Sequence, residues 1–242
     1  MKLLFIASDP MEFRGLLAHA TAVREAQVAA RWSRLAKLGS DDVMLVANGA
    51  GPDRAASATD AGLKTFDAEA IISTGFCGAL SPDLAIADLV SATDIETTNH
   101  TYMCARPPVM CDRPPGLSPK RCEPRAGAIR SIPYIAQTAE QKRNLAVNGA
   151  IAVEMEAAGI AARAERHGLP LYCIRAVTDL AGENLANDFN KALRLDGQFD
   201  TILILKGSLL HPIVRLPELL RLRKRCVRAA NVLGDFFAYS RI

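Results

Sequence analysis

Histidine and aromatic residues are scarce in this chain, and neither sign of charge is in large excess. Its four histidines are scattered, and its six cysteines, at 77, 104, 111, 122, 173 and 226, form no C-x-x-C pair. That argues against a zinc site, and no metal or organic cofactor is expected. Aromatics are 5% of the residues and alanine is abundant, so helices should pack closely. The formal net charge of +3 is too small to point to nucleic acid. No run of about 18 apolar residues is present, so no segment is expected to span a membrane. The opening Met1-Lys-Leu-Leu-Phe-Ile-Ala7 is interrupted by Asp9, Pro10 and Glu12 too early for a secretory leader, and reads as a first strand. Cys77 and Cys173 sit in apolar runs and read as small core residues. Reduced thiols in a cytoplasmic chain are the expectation. A disulfide within the Pro-rich segment shared by Cys104, Cys111 and Cys122 is the alternative.

Half of the 242 residues are apolar, enough for one sizeable core. Short apolar runs at Leu3–Ala7, Val43–Ala47, Ala70–Thr74, Leu89–Ala92 and Leu171–Val177 predict strands covered on both faces. Between them, Pro52–Phe66 and Ala157–His167 read as Ala-rich helices, the second stopped by Gly168. The pattern predicts an α/β fold: a single-domain, three-layer sandwich with a central mixed β-sheet flanked by helices. Within 18–38, Ala29, Trp32, Leu35 and Ala36 have helical spacing, yet the preferred reading is a hairpin. Residues 97–130 are rich in proline, cysteine and arginine without periodicity and read as a long loop, either a lid beside the pocket or a surface excursion. The chain closes on an amphipathic helix at about 215–239 (core Arg215–Phe237), with a stripe of Leu216, Leu219, Leu220, Val227, Ala230 and Leu233 amid arginines. A docked helix with a solvated basic face is the preferred reading, and contact with an anionic membrane surface the alternative.

One strand-like run ends on an acid. Leu171-Tyr-Cys-Ile-Arg-Ala-Val-Thr-Asp179 stops at a carboxylate beside Arg175 and Thr178. Ligands of open α/β sheets sit at such carboxyl ends. Asp179 is therefore either a helix cap or a catalytic group. Glu154 and Glu156 lie two apart in Val153-Glu-Met-Glu156, which on a strand would share one face and leave Met155 opposite. For all three to reach a pocket, the strand must end there and turn into a helix.

Together Val153-Glu-Met-Glu156 and Arg175-Ala-Val-Thr-Asp179 resemble the nucleoside phosphorylase and nucleosidase superfamily, which includes the methylthioadenosine/adenosylhomocysteine nucleosidases. The resemblance covers most of residues 1–180 and implies cleavage of the N-glycosidic bond of a purine nucleoside. By it, Asp179 protonates the base near N7, Glu156 holds the ribose hydroxyls with Glu154 beside it, and Met155 packs on the sugar. Arg175 and Thr178 flank that acid as substrate-binding candidates. In Ser8-Asp-Pro-Met-Glu12, Glu12 stands where hexameric phosphorylases carry a phosphate-binding arginine and where the hydrolytic members carry a water-activating glutamate. In Ile72-Ser-Thr-Gly-Phe-Cys-Gly-Ala-Leu80, Ser73 replaces another phosphate-gripping arginine and Phe76 a shared serine, while Gly75 and Gly78 permit close backbone approach. Arg14 and Arg106 are alternative anion ligands. Tyr134, Ile135 and Ala136 are the candidates for base recognition.

The leading expectation is hydrolysis of an adenosine-type nucleoside, 5′-modified or not, with water as co-substrate. The alternative is phosphorolysis, with phosphate as co-substrate and a lipid-linked, hopanoid-type adenosyl substrate in view. The third is a non-catalytic nucleoside-binding relative. The resemblance also implies a homo-oligomer, a dimer first, with no nucleic-acid partner.

Overall fold

A computed structural model describes residues 1–106 and 123–240. Four strands run parallel through the centre in the order β4 (Asp41–Ala47), β1 (Lys2–Ala7), β5 (Ala70–Ala79) and β10 (Leu171–Asp179). Beyond β10 the sheet curls back. Strand β6 (Leu89–Glu96) pairs antiparallel with β10, β8 (Arg125–Ser131) parallel with β6, and β9 (Ala152–Glu154) parallel with β8. Strand β9 then pairs antiparallel with β5, so β5, β10, β6, β8 and β9 close a five-stranded ring. On the open side, β3 (Trp32–Leu38) and β2 (Thr21–Glu25) form the expected antiparallel hairpin, extending the sheet past β4. The short β7 (Thr101–Met103) pairs with β6.

The near-continuous apolar strands follow from helices on both faces. Helices α2 (Pro52–Leu63) and α4 (Ala157–His167) cover Leu4, Ile6, Val46 and Ile71. Helices α1 (Arg14–His19) and α7 (Pro212–Tyr239) cover Phe5, Leu45 and Ile72 with Leu16, Leu233 and Phe236. Small residues set these crossings. A Cβ on Gly159 would fall 2.0 Å from Pro52 O, and one on Gly15 2.1 Å from Ala230 O. Among the described residues three α-helices remain: α3 (Ala139–Leu145), α5 (Phe189–Ala192) and α6 (Thr201–Leu210).

Several expectations need correction. Helix α2 ends at Leu63 rather than Phe66, whose N–H turns back to Gly62 O. Residues 97–130 are not one loop, because they contain β7 and β8; of the lid reading, 107–122 lie outside the described residues, with Cys111 and Cys122. Strand β8, Arg-Ala-Gly-Ala-Ile-Arg-Ser, lacks an apolar run because it closes the ring with small residues, so pairing on both edges overrides propensity. The terminal helix starts earlier than read, and Leu220 is exposed rather than buried in its stripe. No described helix is long and apolar enough to cross a membrane.

Candidate active site

At the carboxyl ends of the parallel strands lies a cavity of about 380 Å³. It is lined by Glu12, Glu156 and Asp179, which the chain holds far apart, and by Phe76, Tyr134, Ile135, Met155, Glu154 and Thr178.

Glu12 is placed by a capping box. Asp9 caps the 3-10 turn Pro10–Phe13 through Met11 N–H, and Glu12 accepts the Asp9 N–H in return. Glu12 Oε2 also accepts from Ser8 N–H (2.8 Å) and Ser8 Oγ–H (2.9 Å), while among the described residues Oε1 accepts only the Phe76 N–H at 2.8 Å. A carboxylate offers about four acceptor sites, two on each oxygen, so one lone pair on Oε1 stays free. Burial pushes the Glu12 carboxyl up, and the nearby Arg175 guanidinium opposes this. Gly75 does not line the cavity; its role is spatial. It has φ +133°, and a Cβ there would lie 2.4 Å from Glu12 Oε1. Only glycine lets β5 present the Phe76 N–H to that oxygen.

The Glu-Met-Glu segment is a strand end turning into a helix, as its three side chains require. Strand β9 stops at Glu154, and Glu156 is the N-cap of α4. Glu154 Oε2 accepts from the N–H groups of Glu156 and Ala157, both at 2.8 Å, which pins the helix start. Glu156 Oε1 accepts from Gly51 N–H at 3.0 Å. Burial first, then the neighbouring Glu154 charge, push the Glu156 carboxyl up to about 7.

Arg175 lies under this floor, fully buried and outside the cavity wall. Its Nη2 contacts Glu154 Oε2 and Ser73 Oγ, each at 2.7 Å, its Nη1 donates to Thr74 O at 2.9 Å, and Glu156 Oε2 is 3.7 Å from Nη1. This guanidinium pairs with the carboxylates from behind and does not line the cavity. Ser73, buried against it, is equally unavailable. Arg14 and Arg106 do not line the cavity either.

Asp179 follows an irregularity in the β10–β5 register between Val177 and Asp179, where a bulge redirects the side chain. It caps no helix. Its Oδ1 accepts from Thr178 Oγ–H at 3.1 Å, and its Oδ2 is paired with Lys142 Nζ. Burial pushes the Asp179 carboxyl up, and Lys142 pulls it back. Lys142 is fully buried on α3 and also donates to Leu180 O at 2.7 Å. Sequence reading missed this lysine. The Thr138–Gln141 capping box that starts α3 was legible, but nothing marks one lysine in a polar helix as the buried one.

Both main-chain polar groups of Ile135 are taken: its N–H donates to Asn190 Oδ1 and its C=O accepts from Asn190 Nδ2, each at 2.8 Å. The Ile135 and Tyr134 side chains and Ala136 still line the cavity. The remaining wall, also missed, is mostly apolar: Phe189 of α5, Phe199, Ile204 of α6, and Leu219 and Leu222 of α7, with Arg223 beside them.

A model of the phosphorylase superfamily matches residues 2–198. The 5′-methylthioadenosine/S-adenosylhomocysteine nucleosidase of Marinomonas sp. is 25% identical over 210 residues, covering 78% of this chain and 91% of its own. The Geobacillus kaustophilus protein of that name is 28% identical over 188 residues, covering 70% and 80%. Among solved structures, the S-adenosylhomocysteine nucleosidase of Streptococcus pyogenes, in complex with 5-methylthiotubericidin, superposes with a TM-score of 0.69 at 21% identity, covering 98% of this chain and 95% of that one. The family match, over residues 2–198 of the 242, shows that this chain belongs to the phosphorylase superfamily.

Proposed function

We propose that this protein hydrolyses the N-glycosidic bond of an adenosine-type nucleoside. The observation that carries this reading is the charge around Arg175. Three carboxylates, Glu12, Glu154 and Glu156, share the charge of one guanidinium: Glu154 contacts Nη2 at 2.7 Å, Glu156 lies 3.7 Å from Nη1, and Glu12 senses the cation from further away. The nucleophile end of the cavity therefore presents carboxylate oxygen, which repels phosphate and suits both a water proton and a cation-like ribose.

In this reading a water sits on the free lone pair of Glu12 Oε1. The raised basicity of that carboxyl favours taking the proton as the oxygen attacks C1′. Glu156 accepts from the ribose hydroxyls, with Met155 against the sugar. The base lies against Ile135 and Tyr134 with N7 towards Asp179, which gives it a proton so that it leaves neutral. Phe189, Phe199, Ile204, Leu219 and Leu222 leave room for an apolar 5′ substituent. The relatives' names fit such a substrate. Arg223 favours a second reading, phosphorolysis, as the single cation among the described lining residues.

A base-release assay with and without phosphate, with mass detection of the sugar, separates the two. Hydrolysis yields free base and free sugar in phosphate-free buffer. Release that needs phosphate and gives sugar 1-phosphate overturns it.

Lys142 acts here as a positioning residue, holding Asp179 and restraining its affinity for protons. Lys142→Met removes the cation paired with that carboxyl, so Asp179 should keep its proton to higher pH. The alkaline limb of the kcat/KM profile should move up in pH while the maximal rate falls. Loss of stability should stay below the roughly 3–5 kcal/mol of a broken buried ion pair, because Asp179 can neutralise itself by protonation. An unmoved alkaline limb would leave Lys142 a purely structural group.

A further inference from the structure

Helix α6 is inside out. Its sequence, Thr-Ile-Leu-Ile-Leu-Lys-Gly-Ser-Leu-Leu, is apolar nearly all round. The residue it buries completely is polar: Ser208, whose hydroxyl bonds Asn187 Oδ1 and Ile204 O at 2.8 Å. Its aliphatic residues face outward, with Ile202 63%, Leu205 52% and Leu210 76% exposed. The exposed apolar run continues into α7 through Ile213, 89% exposed, and Val214. A water-facing helix normally has the opposite pattern, and clustered exposed leucine and isoleucine mark a surface meant to be covered.

The charge on these two helices indicates what covers it. Residues 201–228 hold seven lysines and arginines and a single acid, Glu218. Glu218 is buried and accepts from the N–H groups of Ala186 and Asn187, so it cancels little of the outward field. Lys206 lies within the apolar face, and Arg215 and Lys224 follow on α7, while Arg221 and Arg225 pair with Glu183 and Arg223 lines the cavity. Leucine and isoleucine flanked by basic side chains form the pattern of a helix lying in the interface of an anionic bilayer. The absence of any membrane-crossing length among the described helices fits a helix that rests on a bilayer without traversing it.

We propose that the outer face of α6, with the first turn of α7, docks this protein on a lipid surface bearing anionic headgroups. Ile204 of the same helix and Leu219 and Leu222 of α7 line the cavity, so docking would bring the cavity's apolar wall against the bilayer. The basic face of α7 alone is equally well explained by solvation. The inverted α6 is what favours a membrane.

The test is co-sedimentation of the full chain with vesicles of phosphatidylcholine, alone or mixed with phosphatidylglycerol, at low and high salt. Binding is expected on the mixed vesicles, weakened by salt. Leu205→Glu combined with Ile213→Glu should reduce it about tenfold or more, by deleting apolar burial and adding two repelled charges. Neither residue lines the cavity, so base release from a small soluble nucleoside should be unchanged in that variant. Absent binding to the mixed vesicles, or binding indifferent to the double substitution, overturns the proposal. Light scattering covers the competing occupant: a wild-type dimer that the substitutions make monomeric, without vesicle binding, assigns this face to a second copy and also overturns it.

Discussion

Asp179→Asn should reduce kcat by about 10²–10⁴-fold, the usual contribution of a positioned acid. The amide keeps the shape but carries no transferable proton. It also strands a cation. Lys142 is fully buried, and among the described residues its remaining partner would be Leu180 O. Removing the anion of a buried pair costs roughly 3–5 kcal/mol, so Asp179→Asn should also melt lower. A poorly active, unstable variant proves little by itself. The double variant Asp179→Asn with Lys142→Met resolves this, because it leaves neither member of the pair charged. Its melting temperature should recover much of the loss while its turnover does not. Near-normal turnover in either variant would place the acid on another residue.

Glu12→Gln should also cost about 10²–10⁴-fold in kcat, with an added structural penalty that the isosteric shape conceals. Every group that Glu12 meets is a donor: Ser8 N–H, Ser8 Oγ–H, Asp9 N–H and Phe76 N–H. A glutamine must turn its NH2 towards one of these sets. With the amide nitrogen towards Phe76, one N–H loses its acceptor; with it towards Ser8, three donors do. Each buried donor left unpaired costs about 1–3 kcal/mol, so the first orientation is preferred. It also places the NH2 where the free lone pair would receive a water proton. Turnover should therefore collapse even though the melting temperature falls only modestly. Turnover within a few-fold of wild type, measured by base release, would remove Glu12 from the chemistry.

The parallel strands were legible because both their faces are covered, which leaves continuous apolar runs in the sequence. The reading of Ala157–His167 reproduces α4 to the residue, since Gly168 adopts the left-handed conformation expected of a terminator. Strand β8 was not legible, because it is specified by neighbours on both edges and not by its own side chains. In the site, Glu12, Glu156 and Asp179 could be named from motif resemblance, and all three line one cavity. Arg175 and Gly75 were named from the same motifs, yet they lie behind the wall as supports. Sequence adjacency does not distinguish a residue that faces a cavity from one that faces its neighbour's back. Lys142 and the apolar wall from α5 to α7 escaped notice for a different reason. Their significance depends on which side of a helix is buried, and α6 reverses the usual rule.

The closed ring of β5, β10, β6, β8 and β9 divides the molecule into parts of unequal stiffness. A ring has no frayed margin from which strands can peel, and Gly75, Phe76, Glu154 and Asp179 all belong to its strands. Breathing of α5 and α6 can therefore admit and release a bulky molecule while Asp179 and the Phe76 N–H that holds Glu12 stay in place. Access and chemistry are thereby assigned to separate cooperative units, and selection can reshape the portal with little effect on the machinery behind it.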